Sequence, residues 1–341
     1  MCIGDCIFTN LGTGWGQQFE LKVHNYVASG DEQTFEYPSF RRSNAFDATA
    51  REVKAVRSSL GINELHNFGK YRITGPKARD WLNRIMAGRI PKIGRLALTP
   101  MLSHKGKLLG DFTVSCLADD KFHLTASYGA QAQHLRWFLQ HQEDGVTIEN
   151  ISDKLNGFQF AGPKSHDLLA ACTRDLVDMK FLDVRKMTVG QAKCTVQRVS
   201  YTGDLGYEIF CDPMDQRALW NVLWDNGTPM GMTPFGMRAM MSLRLDRFFG
   251  SWMNEFSPDY TAAETGMDRF IKWDKDFIGK AAAHNEIPAR QLVTFEVDAA
   301  DADVTAYEPI FINGEVLGFC TSGGFSHHTG KSIAFGLIPK E

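Results

Sequence analysis

Residues 71–85 read YRITGPKARDWLNRI and residues 158–172 read FQFAGPKSHDLLAAC. Each copy opens with a short apolar run, turns at Gly-Pro-Lys, and continues with apolar residues at helical spacing and an aspartate in the first turns. Proline fixes φ near its helical value and lacks the N–H that a helix start leaves unsatisfied, so a helix is expected just past each turn. The copies begin 87 residues apart (158 minus 71), which predicts a duplicated α+β domain. Paired halves commonly leave a cleft between them.

Working outward, the intervening sequence predicts strands over 96–102, 108–117 and 121–127 and a helix over 130–141. Beyond the second copy, strands are expected over 193–200 and 207–211, and helices over 215–226 and 235–247. Near Pro288 the character changes. Residues 291–297, 307–326 and 331–339 read as short strands with turns at Asn313-Gly314 and Gly323-Gly324, which suggests a small C-terminal β-barrel. The expected division is an arm or linker over 1–40, the duplicated domain over 41–287 and the barrel module over 288–341. The sequence stops at Glu341, where a closed barrel still wants strands, so an incomplete barrel, a fragment or completion by a partner is expected. Gly12-Thr13-Gly14-Trp15-Gly16 superficially resembles a dinucleotide loop. No apolar strand precedes it and no helix follows, so that reading is rejected.

The 341 residues are 43% hydrophobic and 23% charged, an ordinary globular composition large enough for two or three compact units. A net charge of -3 gives no reason to expect nucleic acid or an anionic membrane. No apolar run approaches the roughly 20 residues of a membrane span, and the first residues lack the basic start and apolar middle of a signal peptide. Seven scattered cysteines without paired CxxC spacing argue against a disulfide framework or a structural zinc site, and no metal is expected. Cytoplasmic placement, or the mitochondrial matrix in a eukaryote, fits this usage.

One carboxylate stands out. In residues 198–210, RVSYTGDLGYEIF, Gly203, Asp204 and Gly206 separate two alternating runs, a hairpin pattern that puts Glu208 on the second arm. Glu208 sits among Tyr201, Tyr207, Ile209 and Phe210, and a carboxylate buried in such company needs a partner. Held between aromatic walls, it suits a flat heterocycle offering paired N–H donors. The plainer reading is an edge-strand glutamate facing water.

Four segments agree in order and spacing with one family: 98–114 (LTPMLSHKGKLLGDFTV), 198–210, 241–252 (MSLRLDRFFGSW) and 321–335 (TSGGFSHHTGKSIAF). They resemble the aminomethyltransferase, or glycine cleavage T-protein, family. Residues 37–46 (YPSFRRSNAF), 51–57 (REVKAVR) and 266–275 (GMDRFIKWDK) bring the resemblance closest to the folate-binding C-terminal portion of dimethylglycine and sarcosine dehydrogenases. The resemblance covers roughly residues 37–341. It implies a cloverleaf of two ferredoxin-like halves plus a barrel, enclosing tetrahydrofolate in a central channel.

By that resemblance Asp111 is the catalytic acid near the folate nitrogens. A carboxylate there can stabilise the positive charge that develops on the accepting nitrogen, or take its proton. Glu208 is the residue that binds the pterin ring, since a carboxylate accepts two N–H bonds from a 2-amino-4-oxopyrimidine edge. Tyr201 and Tyr207 pack on that ring or fill the core. Arg244 pairs with Asp246 and other acids, or neutralises the glutamate tail. Trp252 is an aromatic near the channel. Read without the family, Asp111 is a turn or strand-start aspartate.

Two departures separate the chain from glycine cleavage T-proteins, which usually carry two adjacent acids at Gly110-Asp111 and an Ala-Arg-Asp run at Ala239-Met240-Met241. They point away from lipoyl-protein chemistry and towards the dehydrogenase branch. The expected activity is tetrahydrofolate-dependent one-carbon transfer, capturing the product of N-methyl amine oxidation by a flavoprotein as methylenetetrahydrofolate. The alternatives are direct methyl transfer from a small-molecule sulfonium, ammonium or aryl ether donor, and a non-catalytic folate-binding subunit.

Overall fold

The structure, a computed structural model, describes residues 8–18, 21–37 and 39–340. Strands β1 (Thr13–Gln18) and β2 (Leu21–Val27) form an antiparallel hairpin, followed by helix α1 (Phe46–Ser58) and β3 (Leu60–Glu64). The first repeat unit runs β4 (Phe68–Thr74), α2 (Ala78–Ile85), β5 (Leu96–Leu102), β6 (Leu108–Ala118), β7 (Lys121–Ser127), α3 (Gln131–Gln140) and β8 (Thr147–Asn150). The second runs β9 (Asn156–Ala161), α4 (Ser165–Cys172), β10 (Val184–Val189), β11 (Ala192–Gln197), β12 (Gly206–Cys211), α5 (Gln216–Gly227) and β13 (Met232–Pro234). Their sheets have the orders β5-β6-β7-β4-β8 and β10-β11-β12-β9-β3-β13. The second repeats the first strand for strand, with β3 inserted before the last position. The duplication read from the sequence is therefore a duplication of topology.

The repeated Gly-Pro turn has a physical basis. Gly75 has φ of 121° and Gly162 has 133°, where L side chains are strained. A Cβ would meet the Gly145 carbonyl oxygen at 2.2 Å from Gly75 and the Ser59 carbonyl oxygen at 2.5 Å from Gly162. Pro76 and Pro163 each stand one residue before the N-cap, so the turn is built and the helix direction set by the same dipeptide. Helix α2 then buries Ala78, Trp81, Leu82 and Ile85, and α4 buries Ser165, Leu168, Leu169 and Cys172. Both sets follow the i, i+3, i+4, i+7 spacing of one apolar face. The faces cover two separate cores, one around Tyr71, Phe112, Phe122 and Phe138, the other around Phe158, Phe160, Tyr207 and Trp220.

The first 40 residues, expected as an arm, contain the β1–β2 hairpin with Val23, His24 and Tyr26 buried. Glu52 of α1 fastens it, accepting the Val27 amide at 2.6 Å and the Gly236 amide at 2.8 Å. The glycine loop considered for a dinucleotide lies largely in this hairpin. Its Gly-rich first strand, TGWGQQ, has no hydrophobic alternation by which a strand is recognised.

Helix α6 (Met237–Leu245), short helices α7 (Ala262–Thr265) and α8 (Lys280–His284), and strands β14 (Arg290–Val297), β15 (Pro309–Ile312), β16 (Glu315–Ser326) and β17 (Lys331–Pro339) complete the described chain. The last four form an antiparallel sheet of order β14-β17-β16-β15. Asn313-Gly314 makes the expected tight turn, with both residues at positive φ. Gly323-Gly324 is not a turn and lies inside β16. A Cβ on Gly323 would meet the Val304 carbonyl oxygen at 2.1 Å, so close backbone approach explains that glycine.

Candidate functional site

A cavity of about 370 Å³ opens between elements of both repeat units. Strands β6 and β7 contribute Asp111, Thr113 and Thr125; β9 and β12 contribute Gln159 and Glu208; the segment after α6 contributes residues 249–254. Its lining is mostly apolar, with a few polar groups converging inside, the usual character of a small-molecule site. Asp111, Tyr201, Glu208 and Trp252 line it together, whereas Tyr207 and Arg244 do not.

Asp111 lies on β6, opposite Pro100 of β5. Its buried Oδ1 has no hydrogen-bond partner among the described residues. Desolvation raises its pKa to about 7, tempered by its own backbone N–H. Its neighbour Gly110 has no room for a side chain: a Cβ would meet the Phe112 ring at 2.4 Å and His134 Nε2 at 2.7 Å. An aromatic ring and an imidazole thus fill the space where a second acid beside Asp111 would stand. His134 is itself buried and held at about pKa 4 by desolvation, with Nε2 3.0 Å from the Leu109 carbonyl oxygen.

Glu208 is on β12, an interior strand of the six-stranded sheet, which removes the edge-strand reading. It faces Gln197 of β11 and Gln159 of β9, and Gln159 in turn faces Asn63 of β3. Residues paired across a sheet point to one face, so these four form a polar row. Burial alone raises the Glu208 pKa to about 7. The alternation of the strand sends Tyr207 the other way, into the core against Phe160. Tyr207 therefore fills the core. Gln159 and Asn63 line the cavity, and sequence reading missed them. Polar residues at alternate strand positions carry no signal beyond ordinary patterning; only the register shows that they flank Glu208.

Tyr201 closes one wall, donating its hydroxyl to the Gly250 carbonyl oxygen at 2.6 Å and stacking on Phe249. Trp252 contributes another wall and meets His134 edge-on at 5.8 Å. Arg244 is buried at 3% exposure and paired with Glu255, at 0%, across 3.0 Å. It also donates to the Phe249 carbonyl oxygen at 2.9 Å and to Ser322 Oγ of β16 at 2.6 Å. Its partner is Glu255 rather than Asp246, which pairs with Arg57. Arg244 holds the 249–256 segment and the C-terminal sheet together. The cation that does line the cavity is Arg269, exposed at its rim and without an ion pair among the described residues.

The model of the GCVT N-terminal domain matches residues 17–275, and that of the glycine cleavage T-protein C-terminal barrel domain matches residues 290–341. The chain belongs to the glycine cleavage T-protein family. Within that family it is 35% identical to human mitochondrial dimethylglycine dehydrogenase over 338 residues, which are 96% of this chain and 38% of that protein. It is 28% identical to an aminomethyltransferase of Clostridium botulinum, over 90% of this chain and 85% of the relative. The crystal structure of the glycine cleavage system aminomethyltransferase T from Bartonella henselae superposes with a TM-score of 0.86 at 20% identity, covering 98% of this chain and 88% of that one. The chain thus spans well under half the length of the dehydrogenase it resembles. T-proteins and their dimethylglycine dehydrogenase relatives are tetrahydrofolate-binding proteins.

Ala239, Met240 and Met241 lie on α6, and Met240 and Met241 line the cavity there. Two flexible thioethers leave that wall apolar and adaptable. No helix among the described residues is long and apolar enough to cross a membrane. The five cysteines among the described residues are free and buried, and Cys2 and Cys6 lie outside them.

Proposed function

We propose that this chain is a tetrahydrofolate-dependent one-carbon transferase that captures a carbon unit released by oxidation of an N-methyl amine, as methylenetetrahydrofolate. The observation that carries this reading is that Asp111 and Glu208, from two different sheets, line one cavity with no side-chain donor paired to either carboxylate among the described residues. A buried acceptor left open inside a cavity is the natural counterpart of a ligand N–H.

The residues fit a folate. Glu208 supplies two acceptor oxygens for adjacent N–H groups of a pyrimidinone edge, Tyr201 and Trp252 supply aromatic wall, and Arg269 at the rim supplies positive charge for carboxylates. Tetrahydrofolate, when bound, supplies the nucleophilic nitrogens that accept the carbon unit. Asp111, poised near neutrality, takes a proton from the site or stabilises developing positive charge. The apolar Met240, Met241 and Phe249 surroundings exclude water, which favours transfer over release of formaldehyde. A flavoprotein that oxidises dimethylglycine-type amines is the partner this chemistry requires.

The test couples the chain to such an oxidase with dimethylglycine and tetrahydrofolate, and follows methylenetetrahydrofolate against free formaldehyde. The expected result is that wild type diverts carbon to the folate faster than the uncatalysed condensation, and that Asp111→Asn does not. Formation of 5-methyltetrahydrofolate from a methyl donor without any oxidase would replace capture by direct methyl transfer. Folate binding without either product would leave a binding subunit.

A further inference from the structure

Gln159 has three properties that rarely coincide. It is almost completely buried, at 3% exposure. Its Oε1 has no hydrogen-bond partner among the described residues. It also lines the cavity beside Glu208, its direct cross-strand neighbour in the β9–β12 register. Buried carboxamides are nearly always satisfied, because leaving one unpaired loses the hydrogen bonds it made to water. A neighbouring carboxylate is the obvious acceptor for its amide, yet Glu208 and Gln159 form no hydrogen bond.

We propose that Gln159 is a second reader of the ligand's heterocycle, its open Oε1 accepting a further ring N–H or amino hydrogen beside the N–H donors that Glu208 accepts; this rests on the folate reading above. The two side chains then present one accepting edge: two acceptors from Glu208 and, next to them, the carboxamide oxygen of Gln159. A heterocycle that carries an amino group and more than one ring N–H matches that set of acceptors. A carboxamide does this without placing a second charge against Glu208, whereas a lysine or another carboxylate would alter the charge that Glu208 must hold. Gln197, on the other flank of Glu208, is buried with its own Oε1 unpartnered but does not line the cavity, so the reading role falls to Gln159.

Calorimetry under reducing conditions tests this with wild type, Gln159→Leu and Gln159→Met, the last keeping the side-chain length. Two probes are used: tetrahydrofolate, and p-aminobenzoylglutamate, which lacks the heterocycle. Both variants should bind tetrahydrofolate about tenfold more weakly, the loss of roughly one hydrogen bond, and bind p-aminobenzoylglutamate as wild type does. Their thermal unfolding should be unchanged or shifted upward, since each removes an unsatisfied buried amide. Wild-type affinity for tetrahydrofolate in both variants would overturn the assignment. An equal loss for both probes would show that Gln159 shapes the cavity instead of reading the ring, which also overturns it. Failure of wild type to bind tetrahydrofolate at all would remove the folate reading itself, and this inference with it.

Discussion

Asp111 on β6 and Glu208 on β12 come from the two halves of a duplicated fold and open into the same cavity. Neither carboxylate has an arginine or lysine beside it to offset its burial, and desolvation raises both to about pKa 7. A protein selected for stability alone would replace them. Their persistence in a cavity wall is what a site held ready for a nitrogen-rich ligand looks like, with stability given up where binding needs an open acceptor.

The first prediction concerns pH and stability. A carboxyl whose pKa is raised on folding keeps a proton that the unfolded chain releases, so its contribution is intact below the unfolded pKa near 4.5 and is lost as pH rises through about 7. Glu208→Gln cannot ionise and avoids that loss. Relative to wild type it should gain about 2 kcal/mol between pH 5 and pH 8, and nothing at pH 4. His24, His123 and His134, all lowered to about 4, titrate the opposite way but are common to both proteins and cancel in the difference. Denaturant unfolding across that range measures it, and a pH-independent difference would remove Glu208 from the set of buried acids.

Asp111 and Glu208 should separate kinetically. Glu208→Gln replaces an acceptor by an amide and should weaken tetrahydrofolate at least tenfold at pH 8, because a ring N–H now meets a donor. Asp111→Asn should leave that affinity within about threefold while reducing capture of the carbon unit by roughly a hundredfold, the usual size of an acid–base contribution. Single-turnover capture beside equilibrium binding distinguishes the two. Equal losses of binding and transfer in both variants would assign both acids to binding.

Arg244 should behave as a structural arginine. Removing either member of a buried ion pair leaves an uncompensated charge, so Arg244→Met or Glu255→Gln should cost about 3–5 kcal/mol, and the double variant less than their sum. Urea unfolding gives the comparison. If Arg244→Met is as stable as wild type and fails only with folates carrying a glutamate tail, the tail role considered from the sequence returns.

Much of this architecture was legible from sequence because its signals are local. Gly-Pro-Lys before an amphipathic face occurs twice, and each copy builds the same turn and buries the same helical positions. Glu208 was visible as a charge in an aromatic strand. The parts that were not legible depend on distant pairing. Tyr207 is adjacent to Glu208 in sequence and on the opposite face of the sheet. Arg244 finds Glu255 across a loop, although Asp246 is nearer in sequence. Gly323-Gly324 has turn composition, but the strand needs it for the passage of Val304. Gln159 gains meaning only from its register with β12.

Arg269 carries the last prediction. Among the described residues lining the cavity it is the one cation, and it is exposed at the rim with its guanidinium 5.0 Å from the Phe270 ring. A folate held by its heterocycle at Glu208 would direct its carboxylates outward, where Arg269 stands. Exposed charges interact weakly and are screened by salt. Arg269→Ala should therefore weaken tetrahydrofolate only about threefold to tenfold at low ionic strength, and the difference should shrink as salt approaches 0.5 M. Tetrahydropterin has no glutamate tail and should bind wild type and variant alike. Isothermal titration at two salt concentrations with both ligands measures this; a salt-independent loss, or an equal loss for tetrahydropterin, would place the effect of Arg269 in the wall of the cavity and not in recognition of the tail.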